Sequence, residues 1–170
     1  MLYHVSEESE ISRFEPRRAE GVDHPVVWAV DGEKLRNYLL PRDCPRVTFF
    51  AGERTQSEDV SQFLGSSSAV VAFESAWLER VRQTRLFCYH LPVESFKCVD
   101  ACAGYFHSLE SVAPERVEIV EDLLGALTSR GVEIRVLPSL WELRDAVVGS
   151  TLSYSIIRMR NAGLRGGPAD

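Results

Sequence analysis

The stretch from residue 116 to residue 136 constrains the fold most, because two strand patterns flank one helix pattern. Apolar and polar residues alternate over 116–120 and again over 132–136, which is the period of a half-buried strand. Between them, Asp122 precedes a stripe of leucines, and Gly131 follows a basic residue where a helix would end. The pattern predicts a strand–helix–strand unit that serves architecture rather than chemistry.

Other runs add strands to this unit. Residues 2–6 and 46–51 alternate in polarity, whereas residues 26–30 and 69–73 are almost wholly apolar and indicate strands buried on both faces. Ser139 and Glu142 form a capping box, which predicts a helix that continues, past a kink or break at Gly149, as far as Met159. We therefore predict an α+β fold with a single mixed, largely antiparallel sheet, flanking helices and a C-terminal helical segment.

Composition bounds the domain count and the partners. The chain has 170 residues and is 45% hydrophobic, so we expect one α/β domain over residues 1–162 and a disordered, glycine-rich tail over residues 163–170. A net charge of −6 and a pI near 5.3 make the average surface repel nucleic acids and anionic membranes. The chain opens with no signal segment, and no apolar run approaches the ~20 residues of a membrane-spanning helix. These features predict a cytoplasmic protein.

The cysteines indicate free thiols rather than disulfides, because no secretory signal accompanies them. They are Cys44, Cys88, Cys98 and Cys102. Cys98 and Cys102 lie four residues apart between His90 and His107, which makes a zinc site one interpretation. Zinc ligands normally come as two closely spaced pairs, and these histidines are isolated, so we favour ordinary burial of the thiols and predict no metal site.

His4 and Ser6 are the first candidate ligand-binding residues, because side chains two apart on a strand project from the same face. Arg42 and Arg46 are candidates for binding a phosphate, whose geometry a guanidinium group matches. Cys44, between these arginines, is a candidate for a thiol of lowered pKa. The alternative that we favour for this segment is an ion pair between Asp43 and one of the arginines.

Two further positions carry candidate groups. Glu74 ends the apolar run of residues 69–73 and is a candidate catalytic carboxylate, or alternatively a charge that favours the dipole of the following helix. His107 shares one face of an extended segment with Tyr105, which makes its imidazole a second candidate ligand group. A structural or solvent-facing role is the favoured alternative for His107.

The order of these elements resembles the front half of ADP-ribosyltransferase-like domains. The shared features are the opening Tyr3-His4-Val5-Ser6, the Ile11–Phe14 element, the apolar strand at 26–30 and a helix that carries Tyr38. The resemblance implies that His4 holds a ribose of NAD. It also implies that Tyr38, or alternatively Trp28, stacks on the nicotinamide ring.

A later segment, residues 104–108 and 112–117, resembles the closing strand and proline turn of that fold. In that family a glutamate on a late strand supports the reaction, whereas this chain has Ala103 or Gly104 at that place. Glu110, further along, and Glu74 are then the candidate catalytic carboxylates.

Nearly the whole chain also resembles a small bacterial protein family of about this length, a domain of unknown function. The blocks that carry this resemblance are residues 2–6, 40–49 and 157–162. It implies no particular activity.

Two functions follow from these observations. The first is an NAD- or nucleotide-binding, ADP-ribosyltransferase-like domain, in which a carboxylate would stabilise the oxocarbenium-like state formed as nicotinamide leaves. The second is a non-enzymatic protein-interaction or homo-oligomerisation module, in which His4 and Tyr38 are structural. The first requires His4 and an aromatic ring to line one cleft with a carboxylate nearby. The sequence contains no Gly-x-Ser-x-Gly elbow and no phosphate-binding loop, so serine hydrolase and P-loop chemistry have no support.

Overall fold

The strands of this protein form two sheets, and the predicted α+β class is confirmed. The structure, a computed structural model, describes residues 1–19 and 21–166. Within these residues the strands are β1 (Leu2–Ser6), β2 (Val27–Val30), β3 (Arg46–Phe50), β4 (Ala69–Glu74), β5 (Leu86–Leu91), β6 (Lys97–Asp100), β7 (Tyr105–Ser108), β8 (Arg116–Val120), β9 (Val132–Leu137) and β10 (Ser153–Ile157). The helices are α1 (Ser57–Asp59), which continues as a π-helical turn (Val60–Leu64), α2 (Leu78–Gln83), α3 (Leu123–Thr128) and α4 (Trp141–Val148). Short 3-10 helices cover Lys34–Tyr38, Ser75–Trp77 and Met159–Asn161.

The chain divides into two units, each built from two stretches of sequence. The first comprises Met1–Leu39 with Arg85–Glu121, and the second comprises Leu40–Thr84 with the described part of Asp122–Asp170. The single domain predicted over residues 1–162 stays a prediction, since each unit draws on both halves of the chain.

The first unit holds a six-stranded sheet in the order β6-β7-β2-β1-β5-β8, and all its neighbouring strands are antiparallel. One face of this sheet carries a hydrophobic core. Buried side chains from the strands, including Leu2, Ala29 and Tyr89, pack there with Phe14 and Val112. Phe14 and Val112 lie in two loops, and backbone hydrogen bonds between these two residues join the loops. Burial of this face fixes which side chain of each strand points inward, because a shift of one residue would turn the apolar set outward.

The second unit holds a four-stranded sheet in the order β10-β3-β4-β9, in which only the β4–β9 pair is parallel. Every residue of β4 is buried, as its continuous apolar run predicted. Side chains on one face of β3 and β4 pack against α4 and the π-helical turn; the buried ones include Val47, Phe49, Val70, Ala72, Phe63, Leu140 and Val147.

Two features of the predicted fold are wrong. The strand–helix–strand elements form as predicted, but β8 pairs with β5 and β9 pairs with β4, so the strands build two sheets rather than one. Side-chain alternation identifies a strand but not its partner. The helix predicted to continue as far as Met159 ends at Val148, because residues 153–157 form β10 against β3, from Ser153 opposite Phe50 to Ile157 opposite Arg46.

The predicted start of α3 is confirmed, whereas the helix ends at Thr128, before the predicted basic residue Arg130. The side chain of Asp122 accepts a hydrogen bond from the backbone N–H of Gly125 at 2.9 Å, which caps the start of the helix. Gly131, just past its end, has a φ of +71°, a conformation that glycine adopts without a steric penalty.

Part of the predicted tail lies outside the described residues, namely residues 167–170. Gly163, at its beginning, accepts a hydrogen bond from the indole N–H of Trp141 at 2.7 Å and donates one to Glu74. Among residues 1–19 and 21–166, no helix is both long and apolar enough to cross a membrane.

Candidate functional site

His4 lies on the core-bearing face of the six-stranded sheet, and its imidazole is half-buried. The ring packs against Phe14 with 4.6 Å between centroids, and Nδ1 donates to the backbone carbonyl of Trp28 at 3.0 Å. Because a carbonyl can only accept, this bond places the proton on Nδ1 and fixes the ring. Ser6 shares this face, and its hydroxyl oxygen accepts a hydrogen bond from the backbone N–H of Glu8 at 3.1 Å. Both side chains are held by contacts within the unit.

Trp28 and Tyr38 lie on the opposite face of this sheet from His4. Val27 and Ala29 pack into the core, so the alternation of β2 turns Trp28 the other way. Tyr105 is opposite Val30 and shares the face of Trp28; the two rings meet edge to face with centroids 5.9 Å apart. The hydroxyl of Tyr38 donates to the hydroxyl of Tyr105 at 2.8 Å. The structure therefore joins Trp28 and Tyr38 through Tyr105, and places His4 on the other side of the sheet.

Two histidines extend this group of rings. His107 lies directly opposite Trp28, with ring centroids 6.1 Å apart, and His24 meets His107 at 5.7 Å. We call Trp28, Tyr38, Tyr105, His107 and His24 the aromatic patch. Its residues are half-buried except His24, which is exposed. The rings are thus held by one another and still reachable.

Positive charge borders the aromatic patch. Lys97 of β6 lies directly opposite His107, so a cation, an imidazole and an indole stand in one row across β6, β7 and β2. Arg17 is bridged to Val26, two residues before Trp28, and both cations are exposed. Asp100, opposite Tyr105, contributes a carboxylate to the same region.

Gly104, one of the two positions matched to the glutamate of an ADP-ribosyltransferase-like domain, has no room for a side chain. Gly104 has a φ of +66°, and a Cβ built on it would lie 2.5 Å from Oδ2 of Asp31 and 2.6 Å from Cγ of Lys34. The carbonyl of Gly104 also accepts a hydrogen bond from the backbone N–H of Asp31 at 3.0 Å. Glu110 is exposed after β7, and its backbone N–H donates to Ser108 Oγ at 3.1 Å.

Glu74 belongs to the second unit and is buried at the end of β4. Its Oε1 accepts from the backbone N–H of Leu140 at 3.2 Å, and its Oε2 accepts from the backbone N–H of Gly163 at 2.9 Å. The carboxylate therefore holds the start of α4, where the sequence predicted Ser139 as the cap. Ser139 makes only a long 3.4 Å contact with the backbone N–H of Trp141. Glu74 also stands at the N-cap of the 3-10 helix Ser75–Trp77, without a side-chain hydrogen bond to that helix, and its effect on the helix dipole stays a prediction.

Arg42 and Arg46 stand on the connection into β3. Arg46 is buried, and its Nη2 donates to the carbonyl of Arg42 at 3.2 Å, whereas the Arg42 side chain is exposed. Asp43 pairs with Arg158 at 3.6 Å, and its carbonyl accepts from Asn161 at 2.7 Å. An ion pair of Asp43 does form, but with an arginine that is distant in sequence.

The interpretation of Cys44 as a low-pKa thiol is wrong. Burial raises the pKa of Cys44 from 9.0 to about 12; the charge of Arg46 lowers it and that of Glu74 raises it further, and both are smaller effects. Cys88 is also buried, whereas Cys98 and Cys102 are exposed rather than buried as predicted. Among the described residues, no group of three or more metal-binding side chains is clustered for an ion.

The sequence indicated part of the aromatic patch. Trp28 and Tyr38 were named as ring-binding candidates, and the spacing of Tyr105 and His107 predicted a shared face. His24 and Lys97 were missed, because their positions depend on the pairing of β2, β6 and β7. No local pattern in the sequence indicates that pairing.

Comparison with known proteins identifies the family of this chain. No curated protein and no solved structure matches the chain. A family model described as a family of unknown function, DUF6886, matches residues 3–162, which is nearly the whole chain. The chain therefore belongs to the DUF6886 family.

Proposed function

We propose that this protein binds a nucleotide on the aromatic patch, and that NAD is the first ligand to test. The observation that carries the proposal is the row formed by Lys97, His107 and Trp28 on three neighbouring strands. A nucleotide offers a flat heteroaromatic base and phosphate oxygens. The base would stack on the face of Trp28 or Tyr105, and the ammonium group of Lys97 would bind a phosphate.

The electrostatics support an anionic ligand at this place. The chain carries a net charge of −6, yet Lys97 and Arg17 border the aromatic patch, which itself contains two histidines. Exposed cations beside half-buried rings are the combination that proteins use to bind nucleotides by stacking and charge.

The ADP-ribosyltransferase resemblance contributes the ligand class to this proposal and not the reaction. Gly104 has no space for a side chain, and the carboxylate of Glu74 accepts two backbone hydrogen bonds. His4 is assigned a structural role, because its Nδ1 donates to the backbone carbonyl of Trp28, whose side chain lies on the other face of the sheet. We place this binding protein in a bacterial cytoplasm, where its thiols stay reduced.

Ligand titration tests the proposal. Thermal unfolding and calorimetry are measured with NAD, AMP and ribose 5-phosphate, the last of which has the phosphate but no aromatic base. NAD and AMP should bind and raise the melting temperature; a ligand at 100 times its Kd stabilises the native state by about 2.7 kcal/mol. Ribose 5-phosphate should bind much more weakly. Equal binding of all three, or no binding of any, would overturn the proposal.

Variants locate the site. Trp28→Leu should weaken AMP binding by about 5- to 150-fold, the range that corresponds to loss of one stacked base at about 1–3 kcal/mol. Lys97→Gln should weaken AMP binding and reduce its dependence on salt concentration. Arg85→Gln is the matched control, because it removes one exposed positive charge, paired with Glu121, beside the β5–β8 edge of the same sheet. His4→Gln should leave the Kd unchanged; a large loss there would move the site to the other face.

A further inference from the structure

We infer that β8 is an interface at which two copies of this chain join their six-stranded sheets into one. β8 ends the sheet order, so one side of its backbone has no neighbouring strand among the described residues. An edge strand of this kind is a template for pairing with another strand. The inference is independent of the nucleotide proposal.

The exposure of β8 supports an interface. Four of its five residues are exposed, and Val117 and Ile119 are 41% and 55% exposed although both are apolar. Their neighbours on β5 are Tyr89, which is fully buried, and Phe87. The hydrophobic face of the sheet therefore continues to its edge, where natural monomers usually place lysine or proline as protection.

The charge pattern of β8 indicates that its partner strand is the β8 of a second copy of this chain. Arg116 and Glu118 lie on the face opposite Val117, beside His90 of β5. In a two-fold antiparallel pair, each side chain meets one from the same face of the partner strand. With Val117 on the axis, Arg116 of each copy stands opposite Glu118 of the other. Opposite charges at such cross-strand positions are stabilising.

The neighbouring two-fold registers lack this complementarity. If Glu118 lay on the two-fold axis, the Glu118 carboxylates of the two copies would face each other. If Arg116 lay on this axis, the two Arg116 guanidinium groups would face each other. Like charges directly opposite one another destabilise a strand pair. Of these three registers, the charges of β8 therefore favour the one in which two ion pairs flank a Val117–Val117 contact.

Sedimentation of the full chain measures the association. The average mass should rise from 19.1 kDa toward twice that value as protein concentration increases. Arg116→Glu and Glu118→Arg should each weaken the dimer about tenfold or more, since each turns both ion pairs into like-charge pairs. Glu94→Arg, an exposed residue on the loop after β5, is the matched control and should leave the dimer unchanged. A parent chain that stays monomeric at all concentrations overturns the inference.

Charge exchange tests the register. The double variant Arg116→Glu/Glu118→Arg should regain the dimer, and an equimolar mixture of the two single variants should form mixed dimers, detected by native mass spectrometry. Failure of the double variant to regain the dimer overturns the proposed register. Thermal unfolding of each variant shows whether it is folded, so that loss of the dimer is distinguished from loss of the fold.

Discussion

Gly104 and Asp31 approach each other so closely that a Cβ on Gly104 would lie 2.5 Å from Oδ2 of Asp31. The same two residues share a backbone hydrogen bond of 3.0 Å, from the Asp31 N–H to the Gly104 carbonyl. Asp31 also accepts a hydrogen bond from the backbone N–H of Lys34 at 2.7 Å, at the start of the 3-10 helix that carries Tyr38. One contact thus fixes the turn before β7 against the segment that positions the Tyr38 ring.

Gly104→Ala should destabilise the protein by more than about 2 kcal/mol. A left-handed backbone costs a non-glycine residue roughly 1–2 kcal/mol, and the added methyl group must also displace Asp31 or Lys34. Gly21→Ala is the matched control, because Gly21 has a φ of +79° with no atom within 4 Å of the added Cβ. Urea unfolding measures both variants. Equal losses would mean that the close approach to Asp31 has no energetic effect.

Glu74→Gln should lower the free energy of unfolding by about 1–3 kcal/mol, although it removes no volume. Both carboxylate oxygens accept backbone hydrogen bonds, and glutamine can accept only one of them while its amide faces the other N–H group. Glu94→Gln, at an exposed loop position, is the control and should change stability little. If Glu74→Gln were as stable as the parent, the bonds to Leu140 and Gly163 would contribute nothing to the fold.

The thiols should differ in their reaction with iodoacetamide at neutral pH. Cys98 and Cys102 are exposed and should be alkylated in the folded chain, whereas Cys44 should react only after unfolding. The reason is that only the thiolate is nucleophilic, and burial raises the pKa of Cys44 to about 12. Peptide mass mapping after a short reaction identifies the modified residues. Rapid labelling of Cys44 would contradict its burial.

The same pKa shift predicts a pH dependence of stability. The folded state favours the neutral thiol of Cys44, so its contribution is complete below pH 9, where the thiol is neutral in both states. As pH rises from 9 toward 12, the unfolded chain releases this proton and the folded chain does not, so stability falls. Cys44→Ala removes this proton release. The parent should therefore lose more stability than the variant over that pH interval.

Local sequence patterns predicted most strands but not their partners. The alternation of β8 and the apolar run of β4 depend only on neighbouring residues, which is why both were identified. β10 was missed because Leu152, Ile156 and Met159 also fit the spacing of a helix. Residues 153–157 form a strand because they pair with β3, whose residues are about a hundred positions earlier. That contact is tertiary and overrides the local pattern.

For the candidate site too, local patterns identified single residues but not their partners. Trp28 and Tyr38 could be named because aromatic rings on a strand and a short helix are visible in the sequence. Their common partner, Tyr105, bonds to Tyr38 through its hydroxyl and meets Trp28 through its ring, and it lies 67 residues from Tyr38. The partners of Glu74 are backbone groups 66 and 89 residues away, which no side-chain pattern indicates. The sequence therefore identified candidate side chains, whereas the contacts between them depend on how the strands pair.

Tyr38→Phe and Tyr105→Phe should each destabilise the protein by about 0.5–1.5 kcal/mol, the usual contribution of one hydrogen bond between neutral groups. The two hydroxyls bond to each other at 2.8 Å, so the double variant should lose less than the sum of the single losses. Tyr154→Phe, an exposed tyrosine of β10, is the control for loss of a hydroxyl elsewhere. Urea unfolding of the parent, the two single variants and the double variant gives the coupling energy. Strict additivity would show that the Tyr38–Tyr105 bond does not stabilise the aromatic patch.

The same tyrosine variants should still bind AMP, because both rings remain available for stacking. AMP titrations measure this binding. A loss of binding free energy larger than the loss of unfolding free energy would assign the hydroxyls a direct contact with the ligand.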